Sequence, residues 1–196
     1  MSILINADQQ TCDLSQWDSV TETGGGVIEA TSDGSLAGAP CGVAITVSSG
    51  QVANTRSTVS PSGDSLRLRF YIDPNDFAMG NFETFNLLVG GTPLTFVMWL
   101  GWTDANGYNI QAAGYEDADT STTFANINIT NEPHMLEFLA TRASSAVASD
   151  GSYELWLDGV SVATLTGQDI FDDWPPTVFD FGAGIVTGKL QHVGLI

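Results

Sequence analysis

Residues 151–167 read Gly-Ser-Tyr-Glu-Leu-Trp-Leu-Asp-Gly-Val-Ser-Val-Ala-Thr-Leu-Thr-Gly, two runs of alternating character around one Asp158-Gly159 pair. Successive strand side chains point to opposite faces, so Tyr153, Leu155 and Leu157 share one face while Glu154, Trp156 and Asp158 share the other. An Asp-Gly pair between such runs favours a tight turn with φ > 0, which Gly adopts without steric cost. The stretch predicts a β-hairpin, and a hairpin with one apolar face needs further strands to bury it.

The rest of the chain supplies them. Residues 65–72 alternate throughout, with Leu66, Leu68, Phe70 and Ile72 on one face and Arg67, Arg69 and Tyr71 on the other. Strands are also expected at 3–5, 27–31, 42–48, 51–59, 83–90, 94–103, 108–115, 134–142, 177–183 and 188–195. Residues 94–102 are apolar at nearly every position, as in a central strand buried on both faces. Trp17 is expected to plug one edge of the core, and no amphipathic helix longer than a turn or two is visible. A chain of 196 residues, 43% hydrophobic and with 21 Gly, suits one all-β domain spanning 1–196, a two-sheet antiparallel jelly-roll sandwich.

The hairpin, the strand before it and the Ser-rich loop running to Asp150-Gly151 resemble the late core of concanavalin-A-like lectin/glucanase (laminin-G-like) β-sandwiches. Asp13-Leu14-Ser15-Gln16-Trp17 is similar to the Gly-Asp-Leu-Ser-x-Trp opening of that group, with Cys12 where Gly is usual. Arg69-Phe70-Tyr71-Ile72-Asp73-Pro74 is similar to one of its mid-domain strands. The resemblance implies a concanavalin-A-like sandwich with lectin-like carbohydrate binding, working outside cells. Some members hold calcium with an Asp of the final strand; here residues 188–196 contain no acid.

Five basic residues against 23 acidic ones give a formal charge of −18, which repels phosphate backbones and excludes nucleic acid as a partner. The first residues, Met-Ser-Ile-Leu-Ile-Asn-Ala-Asp, lack a basic segment and a long apolar one, so no secretory signal and no membrane insertion are expected. The expected location is extracellular or on a virion surface, the latter reached by assembly into a particle.

Trp99, Trp102, Tyr108 and Tyr115 cluster in one hairpin, and aromatic faces stack on the C–H faces of sugars. Trp102 and Tyr108 are the chosen ligand residues because they flank the turn. Arg67 and Arg69, with Tyr71 on the same face and Trp156 on the hairpin, read in two ways: recognition of an acidic glycan, or cross-strand pairing with Glu137 and Glu154. Asp117 and Asp119 lie in the densest acidic cluster and suit a hard cation such as calcium, although none is required. Cys12 and Cys41, the only cysteines, are either a disulfide or two buried thiols, and their spacing excludes zinc.

Glycosidases of this sandwich place Glu-x-Asp-x-Glu on one strand, with two carboxyl groups about 5 Å apart across the bond. The chain has no such motif and no Gly-x-Ser-x-Gly elbow. Arg56-Ser57-Thr58 is a fragment of the Arg/Glu/Arg strand of alginate lyases. His134 and His192 read as structural, since a general base needs an oriented partner. The expectation is therefore no enzyme: a non-catalytic module that recognises a glycan or a protein surface, such as a phage capsid decoration or fibre protein. The alternatives are a structural subunit or cement that assembles as a homo-oligomer or within a virion, and a divergent glycosidase or polysaccharide lyase.

Overall fold

A computed structural model describes residues 12–32, 35–36, 40–47, 51–91, 94–117, 120–186 and 192–194. Among the described residues fourteen strands run in chain order. They are β1 (Ser19–Thr23), β2 (Val27–Thr31), β3 (Gly42–Thr46), β4 (Gln51–Thr58), β5 (Ser65–Asp73), β6 (Thr84–Gly90) and β7 (Phe96–Thr103). The rest are β8 (Gly107–Tyr115), β9 (Ser121–Asn128), β10 (His134–Thr141), β11 (Gly151–Leu157), β12 (Val160–Gln168), β13 (Val178–Val186) and β14 (His192–Gly194). Among the described residues there is no α-helix.

Two antiparallel seven-stranded sheets face each other: β1-β4-β13-β6-β7-β8-β9 and β12-β11-β10-β5-β14-β3-β2. The expected all-β, two-sheet jelly-roll sandwich is the architecture observed. Residues 65–72 alternate because β5 lies near the middle of its sheet, hydrogen-bonded to β10 and β14. Its Leu66, Phe70 and Ile72 enter the core while Arg67, Arg69 and Tyr71 face outward. The hairpin of β11 and β12 turns at Asp158-Gly159, both with positive φ.

The core is an aromatic stack between the sheets. Phe96 of β7 meets Phe138 of β10 at 4.4 Å between ring centroids and Phe179 of β13 at 6.1 Å, and Phe138 stacks on Tyr153 of β11 at 5.7 Å. Burying such a ring contributes roughly 1.5–3 kcal/mol. Room comes from Gly90, where a Cβ would stand 2.2 Å from the Phe96 ring. Trp17 joins this core against Phe181 at 5.2 Å.

Cys12 and Cys41 form a disulfide, which resolves the two readings left open by their spacing. It ties the segment before β1 to the start of β3. Closing a loop of sequence separation 29 restricts the unfolded chain by about 3–4 kcal/mol in the loop-entropy account. The strand expected at 3–5 lies outside the described residues, as do parts of the one expected at 188–195.

Candidate functional site

Strands β6, β7, β8 and β9 contain no Asp, Glu, Lys, Arg or His. In a chain with a formal charge of −18, the acids are placed at the ends of these strands: Glu83, Asp104, Glu116 and Asp117. The four strands lie side by side, so the absence of charge becomes a surface. Phe85, Leu87, Leu88, Phe96, Met98, Leu100, Ile110 and Ala112 are buried in the core; Asn86, Trp99, Gly101, Asn109 and Gln111 point outward.

Register sets the outward residues in rows. One row runs Asn86, Trp99, Gln111, Asn126 across all four strands, and the next runs Gly101, Asn109, Asn128. Gln111 donates from Nε2 to Asn109 Oδ1 at 2.8 Å. The two amides lean across Gly101, where a Cβ would meet each of them at 2.7 Å. The middle of this face is sheltered, with Asn109 only 2% exposed, although it points away from the core. Gly114 points inward, since its Cβ would strike Tyr153, and so Tyr115 points outward at the end of the same face. Apart from Tyr115, no outward side chain of β6–β9 carries an ionisable group.

Amides both donate and accept, which matches sugar hydroxyls. Trp99 adds an aromatic surface in the same row. Arg56, farther along the sheet on β4, is held by Asp180 of β13 at 2.6 and 2.7 Å and brings no unpaired charge to the face.

The residues singled out from the sequence fall into two groups on different parts of the molecule. Trp102 and Tyr108 meet at 4.6 Å between centroids, edge to face. They line a cleft of about 450 Å³ at one end of the sandwich, with Asp76, Met79 and Asn131 among its other walls. Tyr108 is buried as the floor of the cleft and donates to Phe77 O at 2.7 Å. Burial raises its pKa, and the carboxylates of Asp76 and Asp73 raise it further.

Arg67, Arg69, Tyr71 and Trp156 come together on the outward face of the other sheet. Both guanidiniums bond the same oxygen, Oε2 of buried Glu137, at 3.0 Å. Arg67 also lies over the Trp156 ring at 5.1 Å. Of the two pairings expected, the one to Glu137 forms, whereas Glu154 accepts from Ser161.

Asp117 accepts the backbone N–H groups of Phe171, Asp172 and Asp173 at 3.1, 2.9 and 3.2 Å. Its carboxylate fixes the 169–174 loop, and Asp119 lies outside the described residues. Among the described residues no group of three or more metal-ligating side chains exists.

His134 has the oriented partner the sequence did not reveal. Its Nδ1 stands 2.8 Å from Asp158 Oδ2, and its Nε2 is 2.9 Å from Thr130 Oγ1 and accepts the Thr130 N–H at 3.2 Å. Accepting at Nε2 leaves the proton on Nδ1, facing Asp158. The order hydroxyl, imidazole, carboxylate is that of a hydrolase triad. Here both the hydroxyl and the amide of Thr130 converge on the ring, and Asp158 also takes the Met135 N–H at 2.8 Å. The array locks the turn before β10 to the turn of the β11–β12 hairpin. The side chain of His192 is outside the described set.

Sequence reasoning missed the amide rows. Asn is depleted in strands and Gln is not among the strand formers, so Asn86, Asn109, Gln111 and Asn126 carry no signal one by one. The available signal was negative: the charge-free runs between isolated acids.

No protein-family model matches the chain, and no curated protein resembles it in sequence. Solved structures share the fold. Alginate lyase vAL-1 from Chlorella virus superposes with a TM-score of 0.65 at 9% identity, covering 98% of this chain and 96% of that one. Endo-β-1,4-glucuronan lyase from the fungus Trichoderma reesei gives 0.62 at 13% identity, covering 94% and 93%. A conserved carbohydrate esterase from the Shiga toxin-encoding bacteriophage phi24B gives 0.61 at 13% identity, covering 98% and 96%. These are likenesses of fold to β-sandwich carbohydrate-active proteins, in keeping with the concanavalin-A-like resemblance. They correct the exclusion of catalysis drawn from the sequence. Lyases are built on this sandwich, so the absence of a glycosidase motif does not remove a chain from the enzymes of the fold.

Proposed function

We propose that this chain, as one sandwich over 1–196, acts on a polysaccharide laid across the outward face of β6–β9. The observation that carries the reading is the row Asn86, Trp99, Gln111, Asn126 on a surface without charge. A neutral glycan offers hydroxyls to the amides and a C–H face to the indole, and meets no unpaired ion. Glucuronan and alginate, named for two of the structural neighbours, are polyanions. An amide-lined face on a chain of charge −18 favours an uncharged polysaccharide instead.

The reading covers cleavage as well as binding. Hydrolysis of a neutral glycosidic bond places the hydroxyl of water on the anomeric carbon and its proton on the leaving oxygen, and that proton passes through the phenol of Tyr115, the outward ionisable side chain of β6–β9. Viral and phage proteins among the structural neighbours support placement outside the cell, on a glycan-bearing surface.

A glycan array, followed by a reducing-end assay on every polysaccharide that binds, tests the proposal. Binding lost in Trp99→Ala and kept in Trp156→Ala is the expected result, and cleavage, where it is seen, stops in Tyr115→Phe. A neutral glycan whose binding ignores Trp99→Ala, or silence across neutral glycans, overturns it.

A further inference from the structure

The cleft at the end of the sandwich differs in character from the amide face. Its walls are aromatic and apolar, formed by Trp102, Tyr108 and Met79, and Asp76 and Asn131 edge it. Asp76 spends its backbone N–H and its Oδ1 on Asn131, at 2.9 and 2.7 Å. Among the described residues its Oδ2 has no hydrogen-bond partner. Asn131 therefore aims the carboxylate while leaving one oxygen for a ligand.

The wall that carries Asp76 is built on left-handed backbone. Of the non-glycine residues with positive φ among the described residues, Asn75, Asp76 and Phe82 all belong to the 74–83 segment. Asn75 and Asp76 form a tight turn closed by Phe77 N–H to Pro74 O at 2.9 Å. Left-handed backbone at non-glycine residues gathers where a side chain must be presented in a fixed direction. Here it presents Asp76. Asp73 and Asp104 add negative charge nearby: Asp73 caps the same turn through Asn75 N–H at 2.9 Å, and Asp104 takes the Trp102 indole N–H at 3.3 Å. No basic side chain is among the residues lining the cleft.

From these walls and this carboxylate we infer that the cleft binds a protonated amino sugar, its ammonium on Asp76 and its ring against Trp102. An indole face attracts a cation as well as a C–H face, and a carboxylate supplies a charge-assisted hydrogen bond. A volume of about 450 Å³ is ample for one or two sugar rings, within the usual range of small-ligand sites. A uronate is repelled by the same carboxylates. The inference rests on the glycan reading only in assigning the amine to a sugar.

Calorimetric titration of the full chain with a glucosamine tetramer, its N-acetylated counterpart and an alginate tetramer tests this. The glucosamine tetramer binds and the other two do not bind in the cleft. Asp76→Asn, which keeps the left-handed turn because Asn tolerates it, weakens binding about tenfold, the worth of one charge-assisted hydrogen bond. Trp99→Ala leaves this binding intact. Equal affinity for the acetylated tetramer, no effect of Asp76→Asn, or loss in Trp99→Ala overturns the inference. Neutral glycans that still bind through Trp99 while the glucosamine tetramer stays silent refute the cleft assignment and leave the amide face standing.

Discussion

The ring of Tyr153 on β11 occupies the space a Cβ on Gly114 of β8 would need, with only 2.2 Å from that position to its Cε2. The phenol passes through the core from one sheet to the other and reaches two backbone carbonyls, Thr95 O at 2.8 Å and Tyr115 O at 2.9 Å. Tyr153 thus braces, from beneath, the strand end that presents Tyr115 outward.

Tyr153→Phe removes that donor from both carbonyls, although Thr95 O keeps the backbone N–H of Tyr115 at 2.8 Å. The expected cost is about 1–2 kcal/mol at neutral pH, read from the denaturant midpoint. Burial raises the Tyr153 pKa, and the nearby Asp117 and Glu116 carboxylates raise it further. A raised pKa means this contribution is complete below the unfolded tyrosine value near 10 and is lost as pH climbs past it. Alkaline unfolding therefore steepens above about pH 10 in the parent and less so in Tyr153→Phe. Matching alkaline limbs would refute this.

Asp158 is a second pH-sensitive contact, with the opposite sign. Partial burial pushes its pKa up, but the hydrogen bond from His134 and the N–H of Met135 outweigh this and hold it below the usual carboxylate range. A depressed pKa stabilises above the unfolded value and is lost as pH falls through the folded one. Acid denaturation of Asp158→Asn should show a shallower pH dependence below about pH 4 than the parent. Asn is chosen because Asp158 sits at a φ of 51°, which Asn tolerates.

Gly101 separates fold from function. A Cβ there would meet Asn109 and Gln111 at 2.7 Å, but only at the tips of their flexible amides. Gly101→Ala should change stability by less than about 1 kcal/mol. Glycan affinity should fall about tenfold, since displacing two aligned amides forfeits roughly 0.5–1.5 kcal/mol each. Thermal melts beside glycan titrations check this, and a variant that binds normally would show that the amide pair is not part of the site.

The sequence exposes those strands whose burial is one-sided or complete. The alternation in 65–72 becomes β5 within one residue, and Asp158-Gly159 becomes the turn of the β11–β12 hairpin. β1 and β9 were not anticipated. Both are sheet edges: β1 is exposed at every position and has no apolar face to write in its sequence, while β9 turns Phe124, Ala125 and Ile127 to the core at positions that a bulge takes out of simple alternation. The arginine face was half legible, because parity on adjacent strands forecasts an acid beside Arg67 and Arg69 but not which one. Trp102 and Tyr108 were chosen for flanking a turn, and their shared cleft depends on Asp76 and Asn131, which are remote in sequence and joined only by the fold.

The bare composition of β9 also sets how copies of this chain treat one another. It is the last strand of its sheet and carries neither charge nor proline, the devices that usually stop one edge from pairing with another. Long-range repulsion from a charge of −18 keeps molecules apart in their place. Near pH 4.1, the sequence pI, that repulsion vanishes, and β9 becomes an open template for a second copy. Acid precipitation of this protein would then begin as strand addition between folded molecules.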